Sequence, residues 1–540
     1  MTVCGKIAEG GWALCHARGV SIIFRSALVA FSFIIYACTV FALPQVQNSR
    51  YCCEQSGVAA AISNVKYGAR LGTLYSGVFD YLVDRFDKPL EEALAEARTP
   101  GSGLPAAPPG ELFRTTRDGN GVGFPLVATV ALGLFGLHSW ALTALMLVLM
   151  ALSAMIFLWR FPNAVYGSVV ILYFTTLTVM LFTSLVWDPS YAVNIPVGGI
   201  RYFSLVTVLP TFHILLELLH AHPTQAAPAK RNRVLLGIQT AILVLGTLVR
   251  GGALPLIGGI TLVWLVLAWR ARRDGAGRQM LFGNAKVMGL VSVALLAAIA
   301  LLVPPNYLTE GRFGAAIWQR VTQSLGVSPA GLFLGVSDMF DCKKYVPAGF
   351  ESGPSDNNGA CIWFDYITKH NIPTETIGDK TFGGLYETAM REAFFKIAAR
   401  YPGEVLKTFI YYKPQMIVQA IQRSLVINLT GDQTKAIYPG GPPVVPYPPL
   451  AVTLLMLSFG IVLVFFAVEI MPVRDLLRVA GVTTLSALFT IPSYLAAWAM
   501  VHTSADLLLY CLFAIGLALG ASLILVRAVL RRLTSSPMKA

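Results

Sequence analysis

Apolar positions along this chain gather in long runs instead of alternating with polar ones. The runs recur near the roughly 20 residues a helix needs to cross hydrocarbon. They predict about ten transmembrane helices, at 26–44, 140–159, 164–187, 202–221, 234–249, 254–269, 286–303, 450–471, 478–500 and 505–526. The first run is longer than the apolar region of a signal peptide, roughly 7–15 residues, and is read as a span. A shorter apolar stretch, 123–137, includes Pro125 and has no basic flank after it, so it reads as a helix at the membrane interface. Two long polar stretches break the series. They divide the chain into an N-terminal membrane module at 1–303 that includes a loop at 45–122, a loop domain at 304–448, and a C-terminal membrane module at 449–540. In the second loop Tyr386, Met390, Phe394 and Ile397 recur at helical spacing, with Arg391, Lys396 and Arg400 between them. The Tyr401-Pro402 pair predicts the end of that helix, because proline disfavours helix in the residue before it. The expected fold class is an all-α polytopic membrane protein with two large external loops.

Composition agrees with that reading. Apolar residues make up 55% of the 540 and charged residues 13%, about half the roughly 25% of a soluble domain, and mean hydropathy is +0.64. A soluble multidomain protein is thereby excluded. The net charge is +13, and its placement carries information. Basic residues cluster in short segments: Lys6, Arg18 and Arg25; Arg160; Lys230, Arg231 and Arg233; Arg270, Arg272, Arg273, Arg278 and Lys286; Arg474 and Arg478; Arg527, Arg531, Arg532 and Lys539. These segments fall on alternate sides of successive runs, which sets both termini in the cytoplasm and both large loops outside. For a bacterial inner membrane the loops are periplasmic. Nucleic acid is not an expected partner, because the basic residues hug membrane ends. Of the eight cysteines, Cys52, Cys53, Cys342 and Cys361 fall in the external loops, where an oxidising compartment permits disulfides. A Cys342–Cys361 bridge inside the second loop is the preferred pairing, although sequence alone does not fix connectivity.

Short motifs in the loops suggest chemistry. Glu54 stands in Cys53-Glu54-Gln55, just after the first span. Asp118 opens Asp118-Gly119-Asn120-Gly121-Val122-Gly123-Phe124-Pro125, ahead of an apolar helix that ends Leu134-Phe135-Gly136. Between two later spans comes Leu248-Val249-Arg250-Gly251-Gly252-Ala253-Leu254-Pro255. Together with the two-loop layout, these segments resemble the GT-C superfamily of membrane glycosyltransferases, which use polyprenyl-phosphate-linked sugars. The likeness covers the layout and about 60 residues of local pattern. It departs at Glu54, where the superfamily most often has an Asp in an acidic pair.

The resemblance implies a catalytic base at Asp118 and a second acid or metal ligand at Glu54. Arg250 and Arg201, the latter in Gly198-Gly199-Ile200-Arg201-Tyr202, are the candidates for phosphate binding, because both stand at external span ends against the positive-inside trend. The chemistry fits the residue types. A base takes the acceptor hydroxyl's proton, and guanidinium groups stabilise the departing phosphate through bidentate hydrogen bonds. Each residue also has a plainer reading: Asp-Gly is an ordinary turn dipeptide, and arginines snorkel to headgroups. The expected function is sugar transfer from a polyprenyl-phosphate donor to an envelope acceptor on the external face. Membrane lipid and the lipid-linked donor are the expected partners, and participation of a divalent cation is left open. A ligase or polymerase of lipid-linked glycans is a second reading, and a non-catalytic transporter or envelope scaffold a third. On the span 202–221, His213, Glu217 and His220 share one face, a spacing used in bundle metal sites. Their position near a span end reads better as an interfacial anchor.

Overall fold

The computed structural model describes residues 10–43, 55–85, 88–99, 104–114, 123–187, 203–220, 230–249, 254–273, 354–373, 379–412, 448–469, 471–491 and 505–535. It also describes Val293, Trp318, Val321, Thr322 and Leu325. The architecture is mostly helical. In chain order come α1 (Gly10–Ala42), α2 (Gln55–Tyr67), β1 (Thr73–Tyr75), α3 (Ser76–Val83), α4 (Leu90–Arg98) and β2 (Leu112–Arg114). Then follow α5 (Gly123–Phe135), α6 (Trp140–Arg160), α7 (Ala164–Trp187), and a 3-10 turn (Ser204–Thr207) leading into α8 (Val208–His220). Next are α9 (Lys230–Val249), α10 (Leu254–Arg273), α11 (Pro354–Lys369), α12 (Asp379–Arg400) and α13 (Pro402–Lys407), which continues as a π turn, Thr408–Tyr412. The chain closes with α14 (Pro449–Val468), α15 (Val473–Phe489) and α16 (Ala505–Ser535).

Among the described residues four helices are long and apolar enough to cross a membrane: Ile23–Ala42 within α1, α6, Ala164–Leu181 within α7, and α14. These fall on the expected spans 26–44, 140–159, 164–187 and 450–471. The expected spans at 202–221, 234–249, 254–269 and 505–526 fall on shorter apolar helices. The segment 286–303 lies outside the described residues except for Val293. The expected span 478–500 meets a helix that begins earlier, at Val473, and residues 492–504 lie outside the description.

Helix α7 is apolar on every side, and a helix of that kind belongs inside a bundle. Val165, Val169, Val170, Ile171, Leu172, Tyr173 and Phe174 are all buried. Against it pack α1, α14 and α16, so segments from both ends of the chain share one core. Phe212 on α8 stacks on Tyr510 of α16, with ring centroids 6.3 Å apart. Helix α1 is likewise built into the bundle, with Tyr36 and Val40 buried. A second core joins Leu325 and α11 to α12, through Cys361, Ile362, Ile367, Ala389, Met390, Ala393 and Ile397. Cys361 is disulfide-bonded, while Cys342 lies outside the described residues.

One end of the bundle is closed by charge pairs. Arg25 binds Glu469 through both carboxylate oxygens, at 3.0 and 2.9 Å, and donates to the Pro162 carbonyl at 3.2 Å. Arg160 pairs with Glu217, and Asp475 accepts from Asn163 at 3.2 Å and from Arg478 at 3.1 Å. His213 sits here too, wholly buried with its ring against Phe161 and Phe157. It is therefore packed into the bundle and does not anchor it at the interface.

The all-α expectation needs one correction. The loop at 45–122 contains a two-stranded antiparallel ribbon, with Thr73 opposite Arg114 and Tyr75 opposite Leu112. The pairing continues beyond the strands: Ser76 N–H donates to the Glu111 carbonyl and Gly77 N–H to that of Pro109. Gly110 supplies the positive φ of 79° that turns the chain there.

Candidate functional site

At the opposite end of the bundle, three glycines bring four separate segments into contact. Helix α2 is made of small residues, and Ser56 to Ser63 are all buried. Its Gly57 faces the Phe124 ring so closely that a Cβ there would stand 2.4 Å from the ring edge. Farther along, the Asn64 amide hydrogen-bonds the Thr129 hydroxyl at 2.9 Å, and Val65 approaches Gly133. Positions 57, 64 and 65 thus meet 124, 129 and 133 in order. Helices α2 and α5 therefore run parallel, with their N-termini side by side.

The second glycine, Gly123, opens α5 against the last residues of α9. A Cβ there would fall 2.7 Å from the Leu248 carbonyl carbon and the Val249 nitrogen. The third, Gly246 on α9, takes the Thr207 methyl at 2.4 Å from where its Cβ would be, with the Phe203 carbonyl 4.0 Å away. Small residues at such crossings let backbones approach closely inside a membrane. The result is one cluster: the starts of α2 and α5, the end of α9, and the turn before α8.

The length of α5 fixes its depth. Thirteen residues at about 1.5 Å each give roughly 20 Å, short of the roughly 30 Å of hydrocarbon. Gly136, at φ 82°, then reverses the chain into α6. The α6 start is pinned by Glu91 of α4. Its carboxylate accepts from the Ser139 N–H at 2.6 Å and the Ser139 hydroxyl at 2.9 Å, and from Arg98 at 3.0 Å, while lying 3.0 Å from His138 Nδ1. Burial pushes this carboxyl upward, but the bonds from Ser139, His138 and Arg98 together hold it below the usual carboxylate range.

Glu54, Asp118, Arg201 and Arg250 lie outside the described residues. In the sequence Glu54 directly precedes α2, Arg250 directly follows α9, Arg201 comes two residues before Phe203 and Asp118 five before Gly123. His213 and Glu217 sit at the other end of the bundle, and among the described residues no group of three metal-ligating side chains gathers.

Sequence reasoning missed Gly57, Gly246 and Phe124 as the contacts that assemble this cluster, and it missed Glu91. The small-residue run Gly57-Val58-Ala59-Ala60-Ala61 was the available signal for a helix buried on all sides.

No family model matches the chain, and no curated protein matches it. Among solved structures, the crystal structure of ArnT from Cupriavidus metallidurans bound to undecaprenyl phosphate is similar over 96% of this chain and 78% of that one. The identity is 12% and the TM-score 0.31.

Proposed function

We propose that this integral membrane protein is a glycosyltransferase of the GT-C kind, moving a sugar from a polyprenyl-phosphate donor to an envelope acceptor at the external face. The observation that carries the reading is the meeting of α2, α5, α9 and the turn before α8. It gathers the chain segments that flank all four sequence-derived candidates at one end of the bundle. A polyprenyl donor keeps its tail in lipid and its reacting bond at headgroup depth, and a helix too short to span suits a site at that depth.

In this mechanism Asp118 takes the proton from the acceptor hydroxyl as its oxygen bonds to the sugar carbon. The bond from that carbon to the lipid phosphate breaks, and the phosphate leaves with the electron pair. Arg250 and Arg201 offset the charge that builds on it. Glu54 is the second acid. The loop domain, stapled by Cys342–Cys361, covers the cavity and excludes water.

Asp118→Asn retains shape and removes the base, so turnover in proteoliposomes supplied with polyprenyl-phosphate sugars falls roughly 10²–10⁴-fold, with donor binding little changed. Arg250→Ala weakens donor binding instead, by about 1.5–3 kcal/mol, the size of a hydrogen bond to a charged group. Full turnover in Asp118→Asn would refute the assignment.

A further inference from the structure

We infer that the outer face of α12 and α13 rests on the surface of an anionic bilayer. The two helices bury one side against the loop domain's own core, through Ala389, Met390, Ala393 and Ile397, with Val405 and Phe409 packed alongside. The other side carries Phe395, Leu406, Ile410 and Tyr411, which are 56%, 59%, 67% and 58% exposed. Phe395 leans on Trp318, with ring centroids 5.3 Å apart, and still leaves more than half of its surface uncovered. The stripe they form is interrupted at the Tyr401-Pro402 break. Arg391, Arg400 and Lys407 are exposed on the same two helices.

Large apolar side chains interleaved with cations, on helices whose far side is already packed, are the pattern of a segment lying in a lipid interface. Tyrosine and lysine are residues that such interfaces favour. Charge selects the lipid. The acid beside the stripe in α13, Glu404, is held by Lys407 at 2.7 Å; on α12, Glu387 accepts from the Trp318 N–H at 2.9 Å, and Glu392 lines a small cleft with Asp365, Lys369 and Lys396. The stripe is left net positive, so anionic headgroups are its complement. Tethering strengthens the case. The loop domain is bounded in the chain by apolar helices on both sides, α10 before it and α14 after it, which keep it near the membrane surface. Nothing in this inference depends on the proposed reaction.

The test uses the full chain in nanodiscs with a genetically encoded fluorescent side chain at position 406 or 410, or at Thr368 as an exposed control on α11. The discs contain phosphatidylcholine alone or with an equal part of phosphatidylglycerol, plus a lipid bearing a headgroup nitroxide. Expected is quenching about two-fold stronger at 406 and 410 than at 368, greater in the phosphatidylglycerol discs. Arg391→Glu combined with Arg400→Glu should remove the phosphatidylglycerol increment. Quenching at 406 and 410 no greater than at 368 in either disc overturns the inference. So does a blue-shifted probe that the nitroxide cannot reach, since the stripe is then covered by protein.

Discussion

Glu91 bonds to both backbone and side chain at the start of α6, and its position in the loop is tied to the state of its proton. Its carboxyl value is lower in the folded chain than the ordinary value of 4.5, so the unfolded chain binds the proton more tightly. The stabilisation is therefore fully present above the ordinary value and is lost as pH falls through the folded one. Glu91→Gln should speed hydrogen exchange at amides 139–143 about five-fold, matching the roughly 1 kcal/mol of a lost helix cap. The wild-type chain's protection factors, corrected for the intrinsic pH dependence of exchange, should approach the variant's on acidification, while the variant's stay flat. Equal protection in both proteins at neutral pH would mean that Glu91 does not hold the α6 start.

At the scale of elements, the parallel pair α2–α5 and the α5–α9 crossing depend on missing side chains. The clash at Gly123 is with backbone atoms of Leu248 and Val249, which cannot rotate aside as a flexible side chain would. Gly123→Ala should therefore force α5 away from α9 and cost about 1–3 kcal/mol, the usual penalty for overpacking. Gly133 on the same helix is a matched control, because its added Cβ would meet Val65 at an ordinary 3.9 Å. Thermal unfolding in detergent should separate the two, with Gly133→Ala close to wild type. If Gly123→Ala is as stable as Gly133→Ala, the crossing does not hold the cluster together.

For the whole molecule, the closed end collects Arg25, Arg160 and Arg478 with their carboxylate partners, three of the residues from which sidedness was read. The meeting of α2, α5 and α9 lies at the other end. By the positive-inside rule the closed end is expected in the cytoplasm and both loops outside. Cysteine introduced at Asn120 and at Ser355 should react with an impermeant maleimide added to intact cells lacking an outer membrane. Labelling of either position only after the membrane is opened would reverse the topology and remove the external site with it.

Run length and composition determined, without any tertiary information, that the chain is an integral membrane protein. They also located most of its apolar helices, because the need to satisfy the backbone in lipid acts on each run separately. The Tyr401-Pro402 stop and the short apolar helix after Asp118 were readable for the same reason, as local constraints on neighbouring residues. The motifs around Glu54, Asp118 and Arg250 could be singled out as chemistry, but not as a site. The described helices next to them meet through contacts between Gly57 and Phe124, Gly123 and Leu248, and Gly246 and Thr207. Those partners lie far apart in the chain, and a glycine's contribution is an absence that leaves no periodic signal. The burial of α2 and the β1–β2 ribbon were decided in the same way. A polar loop folds into helices and strands once neighbouring segments cover its small residues, and only the tertiary structure supplies those neighbours.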